Sequence, residues 1–527
     1  MNLLFASLAA IVSFVWFLHY VFGVKRDSKE PPYIDPKFPI IGHAVGLLRE
    51  KYGYYIALRF ASHFIIFLWK AKSFRHFELT RSRPSEKYKL RIFGLAIPGM
   101  PGGRVYIINS PELVLAVQRQ SKQLSFWHVE ATFTVGMAGL SPHAAKIVTH
   151  NVNGEEEGTS FFKSGMTLQH QEMQPGEHLL NITRDGTQKL ARTVSRLEEI
   201  TRIDLNQWIV DTIMDSVTGS FYGPRNPYKD PEISKAFRDF EDNAVGLISF
   251  PLPKVTCRKA YQGREKMVDA FLKYYADEGT KTASHIVQSQ DRVATTSGIS
   301  LLDRARIDAV SGHAILANTT PTAFWTVFHL LSDPKLVEEV RNAVEPFVKT
   351  SEKNGHLSRE MDISKIRDVP IIRSILHESL RHYADGTGTR IVLQDTMLDD
   401  KYLLKKDSFI FMPNRAYHFD ESSWGTDVDN FDAHRFMKSK PYQPGAFRGF
   451  GGGINLCPGR FYAMNEISFL CSMLVLRYDV KPVGGAWIHP GADSSNLSLI
   501  INPPIKKVLV DFKPRAGWAG GDWSFTL

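Results

Sequence analysis

Residues 2–24 carry no charged side chain and are rich in Leu, Ala, Val, Ile and Phe. At 1.5 Å per residue, a helix of this length crosses a hydrocarbon core of roughly 30 Å with some tilt. The run lacks the basic start and small-residue cleavage site of a secretory leader. Lys25 and Arg26 follow at once, and a positive flank marks the cytoplasmic side. The pattern therefore predicts one N-terminal anchor over 1–24, with the rest of the chain cytosolic. Pro31, Pro32, Pro36 and Pro39 exclude helix and predict a stiff stalk over 25–45. One large folded domain is left over 46–527.

Within that domain the spacing of apolar residues changes repeatedly. Positions 52–59 read as the tail of an amphipathic helix, and 92–97 and 104–109 as strands joined by the Gly/Pro-rich turn 98–103. Ser110-Pro111-Glu112 opens a helix, with proline at its first position and an acid in its first turn. The aromatic, apolar stretch 126–140, with Gly136 and Gly139, reads as a packed loop. Helical patterns cover 177–201 and 204–222, and 245–252 is an apolar break ending in Phe250-Pro251-Leu252-Pro253. Leu301, Ile307, Ala314, Phe324, Phe328 and Leu331 recur at helical spacing over 300–331, which Asp333-Pro334 ends. Inside that run Pro321 lacks an N–H and its ring displaces the Ala317 carbonyl, so the helix must kink or open there. Asn318, Thr319 and Thr320 can fill the freed hydrogen bonds.

Composition adds little except at one place. The chain has 527 residues, 43% apolar and 23% charged, as in ordinary globular proteins. Cys257, Cys457 and Cys471 cannot build a disulfide framework, which suits a reducing compartment. The net charge of +9 comes without basic runs interleaved with aromatics, which argues against nucleic acid as a partner. Nearly half of that charge lies in 60–84, where Phe64-Ile65-Ile66-Phe67-Leu68-Trp69 precedes Lys70, Lys72, Arg75, Arg81 and Arg83 against Glu78. Three readings of this segment stand: an amphipathic patch meeting anionic lipid, a surface insertion without function, and non-coding sequence retained in the gene model.

The densest chemistry lies in residues 447–460, Phe447-Arg448-Gly449-Phe450-Gly451-Gly452-Gly453-Ile454-Asn455-Leu456-Cys457-Pro458-Gly459-Arg460, followed by a helical run over 461–478. Glycine at this density lets backbone pass close to a bulky group. A cysteine just ahead of a helix favours thiolate. A thiolate in a tight glycine loop meets the needs of axial haem ligation. The order of Phe450, Gly453, Cys457 and Gly459 resembles the haem-binding loop of cytochrome P-450 enzymes. Glu378 and Arg381, three apart on one helix face, together with Arg435 in Asn430-Phe431-Asp432-Ala433-His434-Arg435-Phe436, resemble the buried network of the same family. Asn455 stands where the family usually has a base for a haem propionate, and His434 where Glu is commoner. Ala317-Asn318-Thr319-Thr320-Pro321 resembles the branch that holds sterol 7α- and 12α-hydroxylases and prostacyclin synthase.

The resemblance implies a mainly α fold with a smaller β region, preceded by one transmembrane helix. It spans the chain from about Gly23 onward, with 60–84 outside it. It implies haem b with Cys457 as iron ligand, Phe450, Gly453 and Gly459 in the haem loop, and Arg390 on a propionate. Asn318, Thr319 and Thr320 would handle O₂ and protons. Stretch 126–140 would lie over the distal haem face, 245–252 would roof the substrate channel, and 493–500 would turn into the pocket. The implied activity is monooxygenation of a sterol, terpenoid or other lipid-like secondary metabolite, in the endoplasmic reticulum membrane with the catalytic part cytosolic. No dinucleotide fingerprint occurs in the chain, so electrons would come from NADPH through a separate flavoprotein reductase, with cytochrome b5 as an optional second donor. Asn318 keeps an O₂-independent isomerase or dehydratase as an alternative, and a non-catalytic haem sensor or carrier is a further one.

Overall fold

The structure, a computed structural model, describes residues 25–34, 90–97, 100–199, 202–353, 356–438, 442–518 and 520–526. The predicted anchor over 1–24, stalk residues Pro36 and Pro39, the helix tail at 52–59 and the segment 60–84 lie outside these residues. Among the described residues no helix is long and apolar enough to cross a membrane. Helices dominate and the strands form small sheets, in agreement with the predicted class.

The chain divides into two compact units. The first, residues 1–129, 385–428 and 442–455, holds a five-stranded sheet. Its spatial order is Ile92–Ala96, Arg104–Ile108, Phe409–Pro413, Thr387–Val392 and Leu124–Ser125. The first two strands form the predicted hairpin, Ile92 opposite Ile108 and Ala96 opposite Arg104. Alternation sorts their side chains: Ile92, Tyr106 and Ile108 join one apolar cluster, Phe93, Leu95, Val105 and Ile107 another. Gly102 and Gly103, at φ 63° and 65°, supply the left-handed turn between them. The described part of the stalk packs on this sheet. Ile34 N–H donates to Gly94 O at 3.0 Å and Gly94 N–H to Pro32 O at 2.9 Å. Buried Glu30 accepts from Tyr33, Tyr106 and Arg104.

The second unit, residues 130–384, 429–441 and 456–527, is the helical one. The helices used below are α1 (Phe161–Glu172), α2 (Glu177–Ser195), α3 (His285–Thr296), α4 (Leu301–Leu316), α5 (Thr319–Ser332), α6 (Pro370–Tyr383) and α7 (Arg460–Arg477). Helix α7 is the most deeply buried, with every residue from Glu466 to Arg477 inside. It packs against α2, α5 and α6. Ser300 caps α4 by accepting from Asp303 N–H, and Asp333 caps the helix after α5.

The stretch 126–140 differs from expectation: Trp127–Ala138 is a helix. Its residues are apolar on most sides, so no stripe betrays the period.

Candidate functional site

The run 300–331 opens where Pro321 requires it. Helix α4 ends at Leu316 and α5 begins at Thr319, with Asn318 between them at φ −105° and ψ −27°. Thr319 Oγ1 donates to Ile315 O at 3.0 Å, and Thr322 Oγ1 donates to Asn318 O at 2.6 Å. The Asn318 side chain turns outward to the loop 498–502. Its Oδ1 accepts from Ile500 N–H at 3.0 Å and Ile501 N–H at 3.2 Å. Two backbone donors fix which end of the amide faces the loop, so Nδ2 points elsewhere. Among the described residues neither Asn318 Nδ2 nor Thr320 Oγ1 makes a hydrogen bond.

The same loop is fastened at two further levels. His313 Nε2 lies 3.1 Å from Ser498 O, and Trp325 Nε1 donates to Asn502 O at 2.7 Å. Trp325 stacks on Tyr383 at the end of α6, with ring centroids 3.7 Å apart and planes within 5°.

Cys457 lies three residues before α7 and is a free thiol. Burial pushes its pKa up, against the backbone N–H groups of Gly459 and Arg460 and the charge of Arg460, which favour thiolate. Arg460 also donates to Cys457 O at 2.9 Å. A Cβ on Gly459 would come within 3.9 Å of Cys457 Sγ.

In the same unit α6 presents the predicted pair, both members fully buried. Arg381 Nε and Nη2 each donate to Glu378 at 2.7 Å, a bidentate fork. Arg435 Nε and Asp432 N–H each donate to Glu378 Oε1 at 3.0 Å. Both arginines also donate to Asn430 O. The carboxylate is thereby matched, and the segment 430–435 is tied to α6. His434 stays near the surface, 2.9 Å from Glu339.

The first unit holds the glycine half of the loop. Gly451 and Gly453 sit at φ 78° and 61°, and a Cβ on Gly453 would crowd the Gln118 side chain at 3.2 Å. Arg390 is buried, donates to Thr389 O at 2.6 Å and lies 5.0 Å over the Phe126 ring. Arg448, for which the sequence alone predicts no role, is 5% exposed. Its guanidinium Nε and Nη1 are buried without a hydrogen-bond partner, and burial pushes its pKa down. Among the described residues no carboxylate pairs with it. A buried cation in this state needs an anion. The signal was present in the sequence: Arg448 and Arg460 are the only charges in the loop, and Asn455 is neutral.

The cytochrome P450 family model matches residues 100–508. This chain belongs to the cytochrome P450 family. It is 31% identical over 514 residues to the cytochrome P450 monooxygenase nodJ of Hypoxylon pulicicidum, covering 95% of this chain and 93% of that one. A cytochrome P450 monooxygenase of Gibberella zeae is 25% identical over 523 residues, covering 95% and 92%. Cytochrome P450 7A1 of Oryctolagus cuniculus is 26% identical over 301 residues, 53% of this chain and 58% of its own length. The chain is thus a P450 monooxygenase, and the family carries a haem–thiolate. The residues of this P450 fit that cofactor on two counts: Cys457 is a free thiol beside N–H donors, and Arg448 is a buried cation lacking an anion.

Proposed function

We propose that this P450 is a membrane-anchored monooxygenase of the endoplasmic reticulum that oxidises a sterol, terpenoid or similar lipid-like substrate. Electrons would come from NADPH through a separate flavoprotein reductase, with cytochrome b5 as an optional second donor. The observation that carries the reading is the polar notch at 318–320, where α4 gives way to the buried and largely apolar α5.

Cys457 would hold the iron, while Arg448 and Arg390 would hold propionates. Gly453 and Gly459 would let the backbone pass close to the ring. The haem–thiolate supplies O₂ activation, the thiolate favouring O–O cleavage. In this chain the Asn318 Nδ2 would offer a hydrogen-bond donor to a water or a substrate oxygen, and the Thr320 hydroxyl would accept a proton and pass it on at Oγ1. The Glu378–Arg381–Arg435 network holds the segment 430–435 against α6. Likeness of the Asn318-to-Pro321 segment to the sterol-hydroxylase branch supports the substrate class. The apolar run 2–24 and the exposed Phe250, Leu252 and Val255 support a membrane surface.

The test is incubation of P450-containing membranes with reductase, NADPH, O₂ and a panel of sterols and terpenoids. Oxygenated product that requires all three additions supports the reading. A second reading, O₂-independent rearrangement of an oxygenated lipid, is favoured by the Thr319 hydroxyl being committed to Ile315 O. Product formed without NADPH would establish that reading and refute the first.

A further inference from the structure

Three side chains of the second unit, with no part in the chemistry above, converge on one another. Glu172 closes α1, His178 is the second residue of α2, and His285 opens α3. His285 Nδ1 lies 2.8 Å from Glu172 Oε1 and 2.9 Å from Oε2, and His178 Nε2 lies 3.7 Å from Oε2. The three donor atoms all fall within 4.8 Å of one another. The carboxylate is 7% exposed, yet among the described residues no Lys or Arg pairs with it. The two imidazoles are 45% and 44% exposed, so solvent reaches the cluster.

We propose that Glu172, His178 and His285 bind a divalent transition-metal ion of the zinc type, which clips α3 to the junction of α1 and α2. Two imidazoles and one carboxylate suit Zn²⁺, Ni²⁺ or Cu²⁺, whereas Ca²⁺ and Mg²⁺ want oxygen alone. A tetrahedral ion with bonds of roughly 2.0–2.2 Å separates its ligand atoms by roughly 3.3 Å. Glu172 Oε2 lies 2.9 Å from His285 Nδ1 and 3.7 Å from His178 Nε2, values that bracket that separation.

A plain ion pair explains the arrangement less well. Ion pairing alone would charge both imidazoles that lie against the carboxylate, and these two rings stack with centroids 3.9 Å apart and planes within 7°. Two protonated rings at that distance repel, while an ion uses both in their neutral form. Nδ1 of His285 donates to the carboxylate without the ion. With the ion bound, the neutral ring carries its proton on Nε2 instead. The half-exposed His178 ring would then tilt out of this stack so that both lone pairs meet one ion. Water completes the fourth position.

The test uses full-length, haem-loaded enzyme without a histidine tag, stripped with chelator and dialysed against ZnCl₂. Plasma emission then gives zinc relative to haem iron. The expected result is about one zinc per chain, with affinity falling at least ~10-fold in Glu172→Gln and in His178→Ala/His285→Ala. The thermal midpoint of the parent enzyme should rise with zinc and that of the variants should not. An unchanged reduced CO spectrum shows each variant to be folded, and His285→Gln replaces any variant that fails this check. Equal zinc in parent and variants, or none in the parent, overturns the proposal.

Discussion

Asn318→Ala removes the acceptor that two loop N–H groups share. Ile501 is 1% exposed, so no water replaces the lost partner of its N–H. Leaving a buried donor unsatisfied costs about 1–3 kcal/mol. Ile500 is partly exposed and its N–H loses a hydrogen bond worth about 0.5–1.5 kcal/mol. The sum, about 1.5–4.5 kcal/mol, is a sizeable share of the ~5–15 kcal/mol that holds a typical domain together. Asn318→Asp keeps an oxygen at the same place and should lose little. Urea unfolding followed by circular dichroism reads the global effect, and limited proteolysis over 490–505 reads the loop. The expected order of stability is parent, then Asp, then Ala, with new cleavage only in Ala. If Ala matches the parent in both assays, or if Asp is damaged as much as Ala, then the two hydrogen bonds do not hold the loop.

Three further outcomes follow from the same structure. Glu378→Gln leaves two buried guanidinium groups facing a neutral amide, which should cost about 3–5 kcal/mol; it should appear as loss of the haem–thiolate CO band, and a normal band with an unchanged urea midpoint would contradict the buried network. Arg448→Met should fold but release haem to apomyoglobin about 10–100-fold faster, the loss expected for a charge-assisted hydrogen bond of about 1.5–3 kcal/mol; an unchanged rate would show that Arg448 holds no propionate. Burial raises the Glu466 pKa to about 7 from 4.5, so the folded state binds this proton more tightly than the unfolded state does. Its contribution to stability is present below pH 4.5 and lost as pH rises through about 7. Glu466→Gln should therefore be more stable than the parent at pH 8, with the gap shrinking toward pH 5, as read by thermal unfolding at each pH.

Features fixed by local covalent chemistry were legible in the sequence. Pro321 announced the break between α4 and α5, because a missing N–H has no remedy elsewhere. Three-residue spacing put Glu378 and Arg381 on one face, and the matching Arg435 segment supplied their third member. Contacts between distant residues were not legible. Nothing local in Asn318 says that its amide oxygen reaches residues about 180 positions later. The helix Trp127–Ala138 was taken for a loop because an element apolar on most sides shows no period. Arg448 passed as a loop residue, since a charge beside glycines is ordinarily solvated. Its burial without a partner is what sets it apart from Arg460, the other charge of the loop.

The three ties that bind 498–502 to 313, 318 and 325 impose a common ruler on two stretches of chain. Inserting or deleting one residue within 498–502 would throw at least one of the ties out of register. Changing a side chain there would disturb none of them, because Ser498, Ile500, Ile501 and Asn502 all take part through backbone atoms. Among relatives of this enzyme, the loop should therefore vary in identity more readily than in length.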